Sequence, residues 1–93
     1  MLIGALLVKI YIPGAASLKE KRRVIKSVTQ KIRNRFNVSV AEINNENRWQ
    51  RATLGVAVIG DSQVFLERQL QLILNFMDAE PRWEVTETEI TWR

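Results

Sequence analysis

Residues 2–36 read LIGALLVKIYI-PGAA-SLKEKRRVIKSVTQKIRNRF. The first eleven residues are apolar at nearly every even position and at several odd ones, which is typical of a strand in the middle of a sheet. Pro13-Gly14 ends this run. The segment Ser17-Leu18-Lys19-Glu20 has the form of a capping box, in which the serine oxygen accepts from a first-turn amide and the glutamate reaches back. These residues therefore predict a strand, a tight connection and a capped helix.

The helix is expected to end near Asn37, with one apolar stripe facing the core. The stripe comprises Leu18, Ile25, Val28, Ile32 and Phe36. Four further segments follow, each recognised by the periodicity of its apolar residues. They are a short strand over 38–43, a strand over 50–59, a helix over 62–79 capped by Asp61 or Ser62, and a strand over 83–92. The residues around 44–49 are interpreted as a hairpin loop longer than a tight turn.

The second helix carries more apolar residues than the first. Leu66, Leu70, Ile73, Leu74 and Met77 form its predicted buried stripe. Val64, Phe65, Leu72 and Phe76 are expected to widen that stripe. On this pattern the second helix should be the more buried of the two.

The element order is β-α-β-β-α-β, the ferredoxin-like pattern of the α+β class. Right-handed crossovers place both helices on one face of a four-stranded antiparallel sheet, with the first and third strands central. The last strand has ambiguous parity: Trp83 and Val85 share one face, while Ile90 and Trp92 share the other. A β-bulge would reconcile them. The length of 93 residues predicts one domain over 1–93.

The composition excludes several function classes. The chain has no cysteine and no histidine, so it lacks disulfides, a thiol nucleophile and the commonest metal ligand. Glu84, Glu87 and Glu89 are interpreted as charges that protect a sheet edge and not as a catalytic pair or metal cage. We therefore expect no enzyme activity, no metal and no cofactor. The apolar start is too short to span a bilayer, which predicts a cytoplasmic protein without membrane contact.

Three segments carry a resemblance to a known family. They are PGxxSLKEKR at 13–22, RFNVSVAE at 35–42 and WQRA at 49–52. In order and spacing the chain resembles the YlxP-like family of small bacterial proteins over nearly its whole length. The resemblance implies a ferredoxin-like domain of unknown function, cytoplasmic and often encoded beside translation and ribosome-maturation genes. It therefore favours RNA or the ribosome as partner, and it implies no catalytic residue.

The first helix is the strongest sign of a partner. Between Ser17 and Arg35 lie eight of the fourteen basic residues and only one acid, Glu20. Helical spacing places five of the eight on one flank, which we call the basic ribbon: Lys19, Arg22, Arg23, Lys26 and Arg33. Such a ribbon is predicted to contact a phosphate backbone. The alternatives are a solvated helix face, or a protein–protein module whose helix docks an acidic protein surface.

The other three bases of this helix are expected on a separate flank. They are Lys21, Lys31 and Arg35. Lys21 lies close to the apolar stripe, so it is expected to extend to solvent or to pair with a carboxylate such as Glu42. Lys21 and Arg51 are weaker candidates for RNA contact. Trp49 is also a weaker candidate, since packing over a sheet end or an interface is the commoner role of such a tryptophan.

The open face of the sheet is the second candidate site. It is expected to carry apolar and small residues from the odd positions of the first and third strands. A homodimer interface is predicted there at Ile3, Leu7, Ala57 and Ile59. The rival interpretation, an RNA-recognition sheet, requires central aromatic residues, and strand 50–59 has none.

Overall fold

A computed structural model describes residues 1–44 and 48–93. The predicted β-α-β-β-α-β order is confirmed. The elements are β1 (Leu2–Tyr11), α1 (Leu18–Arg35), β2 (Ser39–Ile43), β3 (Arg51–Gly60), α2 (Gln63–Asp78) and β4 (Glu84–Trp92). Each begins or ends within about two residues of its predicted limit. Neither α1 nor α2, the helices of the described ranges, combines the length and the apolar character that crossing a membrane requires.

The sheet has the strand order β2-β3-β1-β4, with every neighbouring pair antiparallel. β1 and β3 are therefore central, as predicted, and the fold is ferredoxin-like. They pair over ten residues, from Leu2 opposite Gly60 to Tyr11 opposite Arg51. Because strand side chains alternate between faces, this register assigns even positions of both strands to one face and odd positions to the other.

The core lies between the even face of the sheet and the two helices. β1 and β3 contribute a continuous apolar layer, and the helices cover it with one buried stripe each. The buried members are Leu6, Val8, Ile10, Leu54, Val56 and Val58 from the strands, and Ile25, Val28, Ile32, Leu66, Leu70, Ile73 and Met77 from the helices. Burial of this apolar area is the main favourable free energy of folding.

Both helix starts have the predicted caps. The Ser17 hydroxyl accepts from the Glu20 amide at 3.1 Å, and the Glu20 carboxylate accepts from the Ala16 amide at 2.6 Å. The glutamate thus reaches one residue beyond the serine of a standard capping box. At α2 the cap is Ser62, whose hydroxyl accepts from the Phe65 amide at 3.2 Å.

A bulge resolves the parity of the last strand. Lys9 lies opposite Glu87 while Ile10 lies opposite Val85, so Thr86 is the extra residue of β4. Its hydroxyl donates to the Lys9 carbonyl at 3.2 Å. The shift turns Val85 to the same side of the sheet as Trp92, and both are half-buried against the core.

Of the four residues expected to widen the buried stripe of α2, only Phe76 packs against the core. The expectation that α2 is the more buried helix is wrong, since it has four buried residues and α1 has five. Val64, Phe65 and Leu72 are 65%, 60% and 54% exposed. At 100° per residue they lie about 90° or more around the helix from Leu66 and Leu70, which face the sheet. A helix lying on a sheet buries one stripe only, so apolar residues outside that stripe remain in solvent.

The core imposes a tight limit at Gly4. A Cβ at Gly4 would lie 2.8 Å from Cζ3 of Trp92 and 3.1 Å from Cγ2 of Val58, whereas a Cβ at Gly14 would meet nothing within 4 Å. We predict that Gly4→Ala lowers the free energy of unfolding by about 1–3 kcal/mol, because the Trp92 ring must move. Gly14→Ala is the matched control and should change stability by less than about 0.5 kcal/mol. Urea unfolding measures both; equal stabilities would contradict the crowding at Gly4.

Candidate nucleic-acid interface

The two flanks of α1 face different neighbours. On one flank, Nη2 of Arg33 donates to the Val40 carbonyl at 2.7 Å, and β2 is an edge strand of the sheet. On the other flank, the guanidinium of Arg35 lies 5.4 Å from the ring centre of Phe76 in α2. By helical spacing the basic ribbon shares the flank of Arg33. Arg23 lies at the outer margin of the ribbon, where it also lines a cavity with Pro81 and Arg82 of the connection between α2 and β4.

The ribbon is exposed, and no acidic residue within ranges 1–44 and 48–93 forms an ion pair with it. Lys19, Arg22, Arg23 and Lys26 all lie in solvent. The one acid of the helix, Glu20, accepts the Ala16 amide as part of the cap. From Lys19 to Arg33 the helix rises about 21 Å at 1.5 Å per residue, so the positive charge is linear.

Arg33 differs from the other four members. It is exposed, but its bond to Val40 orients the guanidinium over the β2 edge. That carbonyl belongs to an edge strand, where an unpaired backbone group invites pairing with another chain. Arg33 therefore covers this backbone group of the edge strand with one of its nitrogens.

The opposite flank of α1 interacts within the chain, so the predicted division of the helix is confirmed. Arg35 lies over the rings of both Phe36 and Phe76, at 5.8 and 5.4 Å. The pKa of the Glu80 carboxyl is lowered, chiefly by the hydrogen bond from the Arg82 side chain, and the nearby charge of Lys31 adds to this effect. Arg35 thus contacts α2, while Lys31 lies near Glu80, just beyond the end of that helix.

Lys21 is buried, at 1% exposure, and two of its partners among the described residues are Glu42 and Arg48. Its Nζ lies 3.6 Å from Oε2 of Glu42, which confirms the predicted alternative of a carboxylate partner. Nζ also donates to the carbonyl of Arg48 at 2.9 Å. The sequence predicted the first partner from helical spacing. The second was missed, because a backbone carbonyl carries no signal in the sequence.

Trp49 is not buried over the end of the sheet. Its side chain is 54% exposed in the described structure. Next to it the Arg51 guanidinium lies 4.5 Å from the ring centre of Tyr11. Packing of Trp49 against another molecule stays a prediction.

The open face of the sheet has the composition that was predicted. Cross-strand neighbours there are Ile3 with Ile59 and Leu7 with Gly55. A concavity of about 420 Å³ opens at its centre, lined mainly by small and apolar side chains from all four strands. A Cβ at Gly55 would lie 2.9 Å from the Ile43 side chain, so the glycine admits the close approach of β2. Ile59 is 61% exposed.

The acidic residues of β4 border this face. Glu84, Glu87 and Glu89 lie opposite Tyr11, Lys9 and Leu7. Glu87 forms an ion pair with Lys9 at 3.2 Å between exposed side chains. The three carboxylates lie on the edge strand β4, in agreement with their predicted position, and Glu89 is the one that lines the apolar concavity.

Comparison with known proteins settles the family. A family model described as "Protein of unknown function (DUF503)" matches residues 3–90. The chain belongs to the DUF503 family. The uncharacterized protein YlxP of Bacillus subtilis (strain 168) is similar to it, with 44% identity over 78 residues, 84% of this chain and 85% of that protein. The resemblance to YlxP-like proteins is thereby confirmed. The basic ribbon and the open face described above are observed in the structure of this DUF503 protein.

Lys21 should be more important for stability than any other base of α1. We predict that Lys21→Met lowers the free energy of unfolding by about 1–3 kcal/mol, because the Arg48 carbonyl and the Glu42 carboxylate lose a buried donor. Lys19→Met is the matched control, since it makes the same change two residues away at an exposed site, and it should shift stability by less than about 0.5 kcal/mol. Urea unfolding of both variants measures the difference. Two equally stable variants would contradict the structural role of Lys21.

Proposed function

We propose that this protein is a non-catalytic accessory factor that binds structured RNA, with the ribosome as its site of action, through the basic ribbon of α1. One observation carries the proposal: Lys19, Arg22, Arg23 and Lys26 are exposed along one line without acidic partners among the described residues. An ordinary exposed helix alternates the two signs of charge and so neutralises itself. A ribbon of one sign attracts a polyanion.

The geometry favours contact with the sugar–phosphate backbone over recognition of base sequence. Lysine and arginine on the outside of a straight helix reach phosphates wherever the backbone passes. Reading bases would require side chains inserted into a groove or aromatic residues across the centre of the sheet. The centre of the open face carries Ala5, Leu7, Gly55 and Ala57, and the one aromatic residue of the two central strands, Tyr11, lies at the end of β1. We therefore expect selection by the shape of the RNA.

The first test reverses the charge of the ribbon. Five phosphate contacts on a single strand correspond to a slope of about −3.5 in log affinity against log salt. The triple variant Arg22→Glu/Arg23→Glu/Lys26→Glu removes three contacts, so the slope should fall to about −1.4 and affinity for RNA and for ribosomes should drop at every salt concentration. Fluorescence anisotropy and ribosome co-sedimentation across a salt series measure these effects.

A matched control separates the ribbon from net charge. Lys31→Glu/Arg68→Glu/Arg93→Glu changes the net charge by the same amount at exposed positions outside the ribbon. It should retain most of the wild-type affinity, apart from a weak long-range effect. A wild type that binds no RNA or ribosome at low salt, or two triple variants that bind equally well, would overturn the proposal.

Homodimerisation through the open sheet face is a second candidate function, and the shape of that face favours it. Ile3 and Ile59 form a raised pair at one end, while small residues leave a hollow at the centre. A two-fold axis brings a surface patch onto itself, so a face with one ridge and one hollow can accept its own copy. The ridge of one protomer would fill the hollow of its partner and cover Ala57 and Leu7.

The dimer is tested by placing a charge on the interface. Leu7→Asp and Ile59→Asp should each convert a dimer to a monomer, because the carboxylate would be buried without a partner. Val64→Asp on α2 is the matched control, since Val64 is apolar and equally exposed but lies outside the sheet. Sedimentation velocity at high protein concentration measures the oligomeric state. A wild type that sediments as a monomer there would remove the dimer.

A further inference from the structure

The chain on both sides of Trp49 is anchored, although the indole itself is in solvent. The carbonyl of Arg48 accepts from buried Lys21 at 2.9 Å, and the carbonyl of Gln50 accepts from the Ile12 amide at 2.9 Å. The side chain of Gln50 donates to the Pro13 carbonyl at 3.1 Å. Trp49 is thus presented outward from a segment that is fixed before and after it.

The surroundings of the indole are basic and aromatic. Tyr11, Arg48, Trp49, Gln50 and Arg51 line a shallow cleft of about 800 Å³. Arg48 and Arg51 are exposed, and the Arg51 guanidinium lies over the Tyr11 ring, 4.5 Å from its centre, in a cation–π contact. The cleft therefore offers a broad exposed π surface flanked by two guanidinium groups. An exposed indole of this kind gains from being covered by a second flat ring.

We propose that an unpaired base of a bound RNA strand stacks on Trp49, while Arg48 and Arg51 bind the phosphates on either side of it. A stacked base would cover the apolar face of the indole, and the two neighbouring phosphates would form charge-assisted hydrogen bonds with the two guanidinium groups. Stacking accepts any base, because every base has a flat π face. This inference rests on the proposed RNA-binding function and adds a requirement to it: the RNA must present at least one unpaired nucleotide.

The cleft lies near the first turns of α1, because Nζ of Lys21 donates to the Arg48 carbonyl. Lys21 belongs to the buried side of the helix, and Arg22 and Lys19 lie about 100° and 160° around the helix from it. An RNA strand that leaves the cleft would therefore pass around the first turns of α1 before it follows the ribbon for about 21 Å. Phosphates along one strand of a duplex lie about 3.4 Å apart along the axis, so the ribbon would span about six phosphates of a strand stacked in this way.

Two RNA probes distinguish the cleft from the ribbon: a 12-nucleotide single strand without self-pairing, and a blunt 12-base-pair duplex. Trp49→Ala should weaken binding of the single strand by about 5- to 150-fold, which is the range for loss of one stacked base. It should leave duplex binding within about twofold of wild type. Trp49→Phe, which keeps an aromatic face, should recover part of the loss. The single strand should also quench the fluorescence of wild type more than that of Trp49→Phe, since Trp83 is buried.

Phe65→Ala is the matched control, because Phe65 is an aromatic residue of similar exposure on α2, outside this surface. It should bind both probes as wild type does. Equal binding of the single strand by wild type and Trp49→Ala, with the ribbon variant still defective, would overturn the stacking site and leave the proposed function standing. Failure of wild type to bind either probe would overturn both. If Trp49→Ala changes only the sedimentation of the protein, the indole contacts protein and the stacking site is likewise overturned.

Discussion

The antiparallel pairing of β1 with β3 is the constraint on which the other parts of this protein depend. The two strands are the longest in the sheet and pair over ten residues without interruption. Their register sends Leu6 and Val56 to one face and Leu7 and Gly55 to the other. A shift of one residue would reverse both faces and expose the core. The position of the helices, the edge strands and the open face all follow from this pairing.

α1 packs one apolar stripe against the covered face of the sheet, and the two flanks of the helix have different neighbours. One flank packs toward α2, where Arg35 contacts aromatic rings and Lys31 contributes to the lowered pKa of Glu80. The other flank faces the edge strand β2, which is short and offers little to neutralise it. The basic residues of α1 therefore have two different roles, according to the flank on which they lie. Those beside α2 stabilise the fold, and those beside β2 remain available to a partner.

Lys21 connects α1 to β2 and to the chain that leads into β3. It is the one base of α1 that is fully buried, and it contacts both β2 and the chain that leads into β3. A buried ammonium needs partners, because its desolvation is costly unless hydrogen bonds and opposite charge offset it. Those same partners hold the hairpin end in place. The Lys21 side chain therefore contributes both to the stability of the fold and to the position of Trp49.

Local patterns in the sequence were sufficient for the order of elements, the capped start of α1, the central strands and the opposite flanks of the basic helix. Each depends on periodicity or on contacts within a few residues, which the chain carries by itself. The exposure of Val64, Phe65 and Leu72, the bond from Lys21 to the Arg48 carbonyl and the exposed setting of Trp49 were decided only by the tertiary structure. These features depend on which surfaces meet between segments far apart in the chain, and on backbone groups that every residue shares. Neither is encoded in the local pattern of side chains.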